Sequence, residues 1–257
     1  MKKWLVWLAI GAGLLIVISI VYVAVYDAGT ISVHYAESPQ PYHQQIRKSL
    51  EQWGGLELAA AELDSALLLP QSLEVWFADC GQSNALYNPE KRQVVLCYEL
   101  ISDLIRRFAP YARSDSALAT AVWHTTFFVF YHEIGHALIH ILDLPTTGRE
   151  EDAVDQLATL VLLNGGDAGR DAALQGASWF SLKSWRPHQP TPFWDEHSLD
   201  QQRYYNIICW VYGSNPQAHQ ALLQRGWGLP GARAARCPAE FQRIFKAWGS
   251  MLDEHTY

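Results

Sequence analysis

Between Ser114 and Leu144 the chain carries no proline and is apolar nearly all round, and Pro145 closes the run. A solvent-facing helix would show a polar stripe, so this pattern predicts one central, buried helix. His132-Glu133-Ile134-Gly135-His136 lies inside it. On a helix, positions four apart stack on the same face, so both imidazoles reach one ion. Glu133 sits beside them, placed to take a proton from a water, which is the chemistry the H-E-x-x-H spacing serves at zinc. Gly135 costs about 1 kcal/mol against Ala in a helix interior, which predicts a close neighbour on that side. The alternative is a core helix that happens to hold these residues, but an unpaired glutamate in so apolar a segment is expensive.

A catalytic zinc ordinarily has three protein ligands. The next acidic cluster is Gly148-Arg149-Glu150-Glu151-Asp152-Ala153-Val154-Asp155, followed by an apolar side from Leu157, Leu160, Val161 and Leu163. This predicts a second helix returning past the first after a turn at Pro145 and Gly148. Glu151 and Asp155 share a face. Glu151 is the expected third ligand, and Asp155 the acceptor for the other ring N–H of a ligand histidine. Glu150 and Asp152 fit an ordinary acidic first turn, which the helix dipole favours. Asp143 competes as a ligand, but its closeness to His136 suits a turn cap better.

The pattern H-E-I-G-H followed by E-x-x-x-D resembles the gluzincin clan of zinc peptidases, to which thermolysin belongs. The wider set F-x-x-H-E-x-G-H-A-L-I, G-R-E-E-D-A-V-D-Q-L-A and H-S-L-D-x-Q-R-x-Y-N-I-x-C is similar to a family of bacterial metallopeptidases of unknown substrate. The likeness covers most of the chain after about residue 30, and the linker from His136 to Glu151 is shorter than in thermolysin. The resemblance implies a compact zincin-like domain, one Zn²⁺, and a peptide or protein substrate.

Peptide hydrolysis builds an oxyanion, and a donor aimed at it lowers the barrier by a few kcal/mol. Thermolysin-like enzymes supply a histidine and a tyrosine from downstream of the ligands. His197 is the expected donor here, with Tyr204 and Arg203 behind it. The plainer alternative is that His197 and Asp195 only orient the helix that follows, with Ser198 as N-cap and Gln201 completing a capping box. His124 lies roughly 12 Å from His132 along a helix and cannot share its ion. His140, one turn beyond His136, would displace that pair, so both histidines are expected to be satisfied by hydrogen bonds.

After Met1-Lys2-Lys3 the chain is uncharged from Trp4 to Tyr26, 23 residues. About 20 apolar residues span a bilayer. Tyr22 and Tyr26 occupy positions a signal-peptide cleavage site keeps small. The expectation is an uncleaved anchor over 1–29, single-pass in a bacterial inner membrane, with residues 30–257 periplasmic by the positive-inside rule. Secretion after cleavage is the alternative. The four cysteines agree with an oxidising compartment, and local pairing predicts Cys80–Cys97 and Cys209–Cys237.

The predicted order is a strand (31–35), helices (42–53 and 56–68), strands Leu73–Ala78 and Gln93–Tyr98 joined as a hairpin around Asn88-Pro89-Glu90-Lys91, then helices to the end. That is an α+β domain with a small mixed sheet, and Val94–Tyr98 is a candidate edge for an extended substrate. The proline- and aromatic-rich stretch from Ser184 to Trp194 reads as a loop beside the cleft. A net charge of −7 argues against nucleic acid as a partner. The sequence thus predicts a membrane-anchored zinc metallopeptidase. The rival is an envelope binding protein with a non-catalytic zinc.

Overall fold

The alternation Leu73, Val75, Phe77 against Glu74, Trp76, Ala78 makes β2 (Leu73–Ala78) a strand with one fully buried face. In the computed structural model, which describes residues 29–184 and 196–257, β2 lies inside a four-stranded sheet of order β1-β2-β4-β3. β1 (Ile31–Tyr35) and β4 (Gln93–Cys97) flank β2, both parallel to it, and β3 (Ala85–Asn88) pairs antiparallel with β4. The expected α+β class and small mixed sheet are present.

Two details differ from expectation. The hairpin at Asn88–Arg92 joins β3 to β4, not β2 to β4, because the short strand Ala85–Asn88 intervenes and turns the chain round. Four residues, three half-buried and Leu86 exposed, give too little alternation to mark β3 in sequence. In consequence β4 is interior, and the sheet edge beside the later helices is β3. Tyr98 is not in the strand; it opens α3 (Tyr98–Phe108).

The parallel β1–β2 crossover runs through α1 (Pro41–Trp53) and α2 (Gly55–Ala66). Gly54, at φ 64°, supplies the left-handed residue between them. Beyond α3 the chain is helical: α4 (Asp115–Ile141), α5 (Glu150–Asn164), α6 (Gly166–Ser184), α7 (Asp200–Ser214), a single turn α8 (Gly231–Ala234) and α9 (Cys237–Leu252). α4, 27 residues and about 40 Å long, is the central rod, packed by α5, α6 and the sheet. Ser114 caps its start by accepting from the Ala117 N–H. Its end is closed at Asp143, whose φ of 50° allows the Leu144 N–H to reach the Ile139 carbonyl. Asp143 is therefore the turn residue.

Disulfides join Cys80 to Cys97, and Cys209 to Cys237. The first ties the end of β2 to the end of β4, parallel neighbours and not hairpin partners; the second staples α7 to α9. The N-terminal apolar segment and the stretch Trp185–Asp195 lie outside the described residues. Among the described residues no helix is long and apolar enough to cross a membrane.

Gly135 marks the crossing of α4 and α5. A Cβ built there would lie 2.8 Å from Cγ1 and 2.9 Å from Cβ of Val154. Gly135→Ala is expected to destabilise the protein, since overpacking costs about 1–3 kcal/mol and the gain in helix propensity is only about 1. Urea unfolding measures the difference. A variant at least as stable as the unaltered chain would show that the two helices are not pressed together here.

Candidate metal centre

α4 and α5 pass antiparallel, and the register at Gly135 and Val154 brings three polar side chains of α5, Glu150, Glu151 and Asp155, against two of α4, His132 and His136. Glu151 projects between the imidazoles. Its Oε2 is 3.2 Å from His132 Nε2 and its Oε1 is 3.3 Å from His136 Nε2. The three side chains form one of the His/Asp/Glu groups able to hold an ion.

Each ring is held from behind. His132 Nδ1 donates to Asp155 Oδ1 at 2.9 Å, and His136 Nδ1 donates to Glu150 Oε1 at 2.7 Å. Both Nε2 lone pairs are thereby left facing the common point. Asp155 also receives a fork of two bonds from the buried Arg203, Nε to Oδ2 and Nη2 to Oδ1, each 2.7 Å. The Arg203 guanidinium stacks 3.9 Å from the centroid of the Phe180 ring.

Zinc–ligand bonds of about 2.0–2.1 Å at tetrahedral angles place neighbouring ligand atoms roughly 3.3 Å apart. Each Glu151 oxygen lies at about that spacing from one ring, Oε2 from His132 Nε2 and Oε1 from His136 Nε2. Glu151 Oε2 is moreover buried and makes no aligned hydrogen bond, although His132 Nε2 and His197 Nε2 are near it. A buried carboxylate oxygen with no aligned donor is one that a bound cation would satisfy. The donor set and the orphaned oxygen therefore fit a zinc ion.

The electrostatics agree. Burial alone would raise the Glu151 carboxyl, but the three neighbouring imidazoles hold it far below the carboxylate range. Burial alone would lower His136, yet Glu151 and Glu150 push it up to about 9, and Asp155 and Glu151 likewise raise His132. A field that favours a proton on these rings favours a metal cation in its place. Glu133, 6 % exposed, is different: burial dominates and raises its carboxyl.

His197 lies in the loop before α7, with Nε2 3.0 Å from Glu151 Oε2. That loop is fixed from α5. Arg149 Nη1 donates to the His197 carbonyl at 2.9 Å, and Ser198 donates its hydroxyl to Asp152 at 2.7 Å. Ser198 is consequently not the N-cap. Leu199 takes that position, and the side chain reaching back to its N–H is Gln202, not Gln201. Arg203 and Tyr204 are committed elsewhere, the latter donating to the Trp227 carbonyl at 2.6 Å. His140 bonds Tyr87 of β3 through Nδ1 at 2.8 Å, pinning the sheet edge to α4. His124 is partly buried along α4, where burial lowers its pKa.

Sequence reasoning missed the contacts of Glu150, Asp152 and Arg149, treating the first two as ordinary first-turn acids. A register argument was available for Glu150. If Asp155 backs His132, the antiparallel passage puts a residue about one turn earlier on α5 behind His136.

A cleft of about 630 Å³ opens over His132, Glu133 and His197. Ser83, Asn84 and Ala85, where the chain enters β3, line it, as do Trp179 and Phe180 of α6.

No curated protein and no solved structure matches the chain. A family model does match, over residues 35–252, with the description "Putative metallopeptidase". That span takes in β2, β3 and β4, both helices of the metal centre and the His197 loop, and the chain belongs to this family, DUF4344.

Proposed function

We propose that the protein is a zinc-dependent peptidase of the gluzincin type, with His132, His136 and Glu151 as ligands and Glu133 as general base. The observation that carries this reading is the convergence of His132, His136 and Glu151, one Glu151 oxygen 3.2 Å from His132 Nε2 and the other 3.3 Å from His136 Nε2, with a buried carboxyl of raised pKa one residue from the first ligand. Zinc bound there supplies Lewis acidity toward a water and a peptide carbonyl. Glu133 takes the proton of the attacking water and delivers it to the departing amine. Asp155 and Glu150 hold the two imidazoles in the ligating tautomer. His197 donates from Nε2 to the developing oxyanion. The substrate lies extended along the outer edge of β3, where Asn84 and Ala85 line the cleft. The domain works outside the cytoplasmic membrane, anchored by its N-terminal segment, and the two disulfides suit that compartment.

The position of His197 bears on a second reading. Its Nε2, 3.0 Å from Glu151, is near enough to serve as a fourth ligand, and four protein ligands would make the zinc structural. The His197→Ala variant separates the two. As oxyanion donor, its loss lowers kcat by about 10²–10³ and leaves zinc affinity within a few-fold. As ligand, its loss strips zinc at concentrations where the unaltered protein keeps it.

The test of the whole reading is metal content of the purified chain together with cleavage of a peptide library. One zinc per chain with cleavage abolished by chelation and restored by zinc is the expected result. A chain that binds no zinc would overturn it.

A further inference from the structure

The cleft beside Glu133 is also lined by a basic group that peptide-bond chemistry does not require. Arg106 and Arg107 close α3, and both donate to the same carboxylate, Asp103, which is buried. Two guanidiniums share one acid, so the trio is net positive. Each keeps unused N–H donors, since a guanidinium has five. The side chain of Arg106 is 76 % exposed and lines the cleft. Lys183 of α6, which lines the same cleft, rests over Trp179, 4.5 Å from the ring centroid, with Asp200 3.5 Å away.

Trp179 supplies an independent sign. Its indole Nε1 is buried and has no hydrogen-bond partner among the described residues. An indole N–H can only donate, and leaving it unsatisfied costs about 1–3 kcal/mol. A donor of this kind, beside Lys183 in the wall of a cleft that Arg106 and Arg107 also line, asks for an acceptor carrying negative charge. The plain alternative for Arg106 and Arg107 is i,i+3 and i,i+4 pairing in a helix's last turn. That accounts for their link to Asp103 but not for the orphaned indole.

We infer that this part of the cleft is a carboxylate subsite, formed by Arg106, Arg107 and Lys183 with the Trp179 N–H, which selects peptides bearing a carboxylate near the bond to be cut. The inference rests on the peptidase reading for its meaning, but the subsite can be tested by binding alone. Two sources share this chemistry: an acidic side chain within the peptide, and a free C-terminal carboxylate.

The experiment is calorimetric titration of the full chain with three otherwise identical short peptides: one with internal Glu residues and an amidated end, one without Glu and with a free end, and one with neither. One of the first two should bind about tenfold or more tighter than the third, and which one does names the source. Arg106→Glu should erase that preference, with the neutral peptide's affinity changed less than about threefold. Binding without preference, no binding of any of the three, or a preference that survives Arg106→Glu would each overturn the subsite. Selective binding with no cleavage would leave the subsite standing and count against the peptidase.

Discussion

Glu133→Gln is expected to bind as much zinc as the unaltered protein and to lose about 10²–10⁴ in kcat, the range general acid–base catalysis contributes. The side chain is nearly isosteric and the site is 6 % exposed, so the packing around it persists. No described hydrogen bond involves Glu133, and it is not among the three donors, so the metal set is unchanged. What disappears is the carboxylate next to His132 that lines the cleft and can accept a proton. The sign of its effect on stability follows from burial. The folded carboxyl has a raised pKa, so the folded state holds its proton to higher pH than the unfolded chain does. Glu133 therefore subtracts stability as pH rises through and above the ordinary carboxylate range, and glutamine removes that loss. In metal-free protein at neutral pH the variant should melt no lower than the unaltered chain. Loss of turnover with stability equal or higher is the mark of a residue kept for chemistry at the expense of the fold. Turnover that survives the substitution would end Glu133's role as base.

How much of this was legible in the sequence depends on whether a feature is local. The α4 helix, the stacking of His132 on His136 and the place of Asp143 all follow from period, proline and turn chemistry within one segment. The approach of Glu151 and Asp155 needed only one further step, a second helix folding back, with Gly135 announcing the close contact that Val154 makes. The disulfide partners are likewise neighbours along the chain. What failed was nonlocal or short. β3 is four residues long, and missing it misplaced the sheet edge from β3 to Val94–Tyr98. Arg203 and Asp155 are 48 residues apart, and nothing in either segment announces a buried ion pair. The contacts of Arg149 and Asp152 with the His197 loop depend on how α7 returns to α5. The basic lining of the cleft draws on α3 and α6, which no local pattern connects.

Asp155→Ala is expected to destabilise the metal-free protein by about 3–5 kcal/mol, the cost of leaving one member of a buried ion pair alone. Arg203 is 6 % exposed, and both of its forked bonds end on Asp155. Its nearest other polar contact is His132 Nδ1 at 3.4 Å, which cannot neutralise it. The same carboxylate orients His132, so zinc affinity should fall as well, by about 10–100-fold. A double-mutant cycle separates the two jobs. Replacing both Asp155 and Arg203 by leucine and methionine removes the stranded charge and should recover most of the stability, since apolar pairs often substitute for buried ions without loss. Zinc affinity should stay low, because His132 still lacks its acceptor. The pH dependence follows the same logic. Burial would raise the Asp155 carboxyl, but Arg203 and the His132 and Arg203 hydrogen bonds hold it down at about 2. Its contribution is fully present above the ordinary aspartate value near 4 and is lost as pH falls toward about 2. Acid unfolding of the unaltered chain should steepen in that window, and the double variant should lose that component. If zinc affinity recovered together with stability in the double variant, Asp155 would be a buried counter-ion only, and His132 would find its orientation without it.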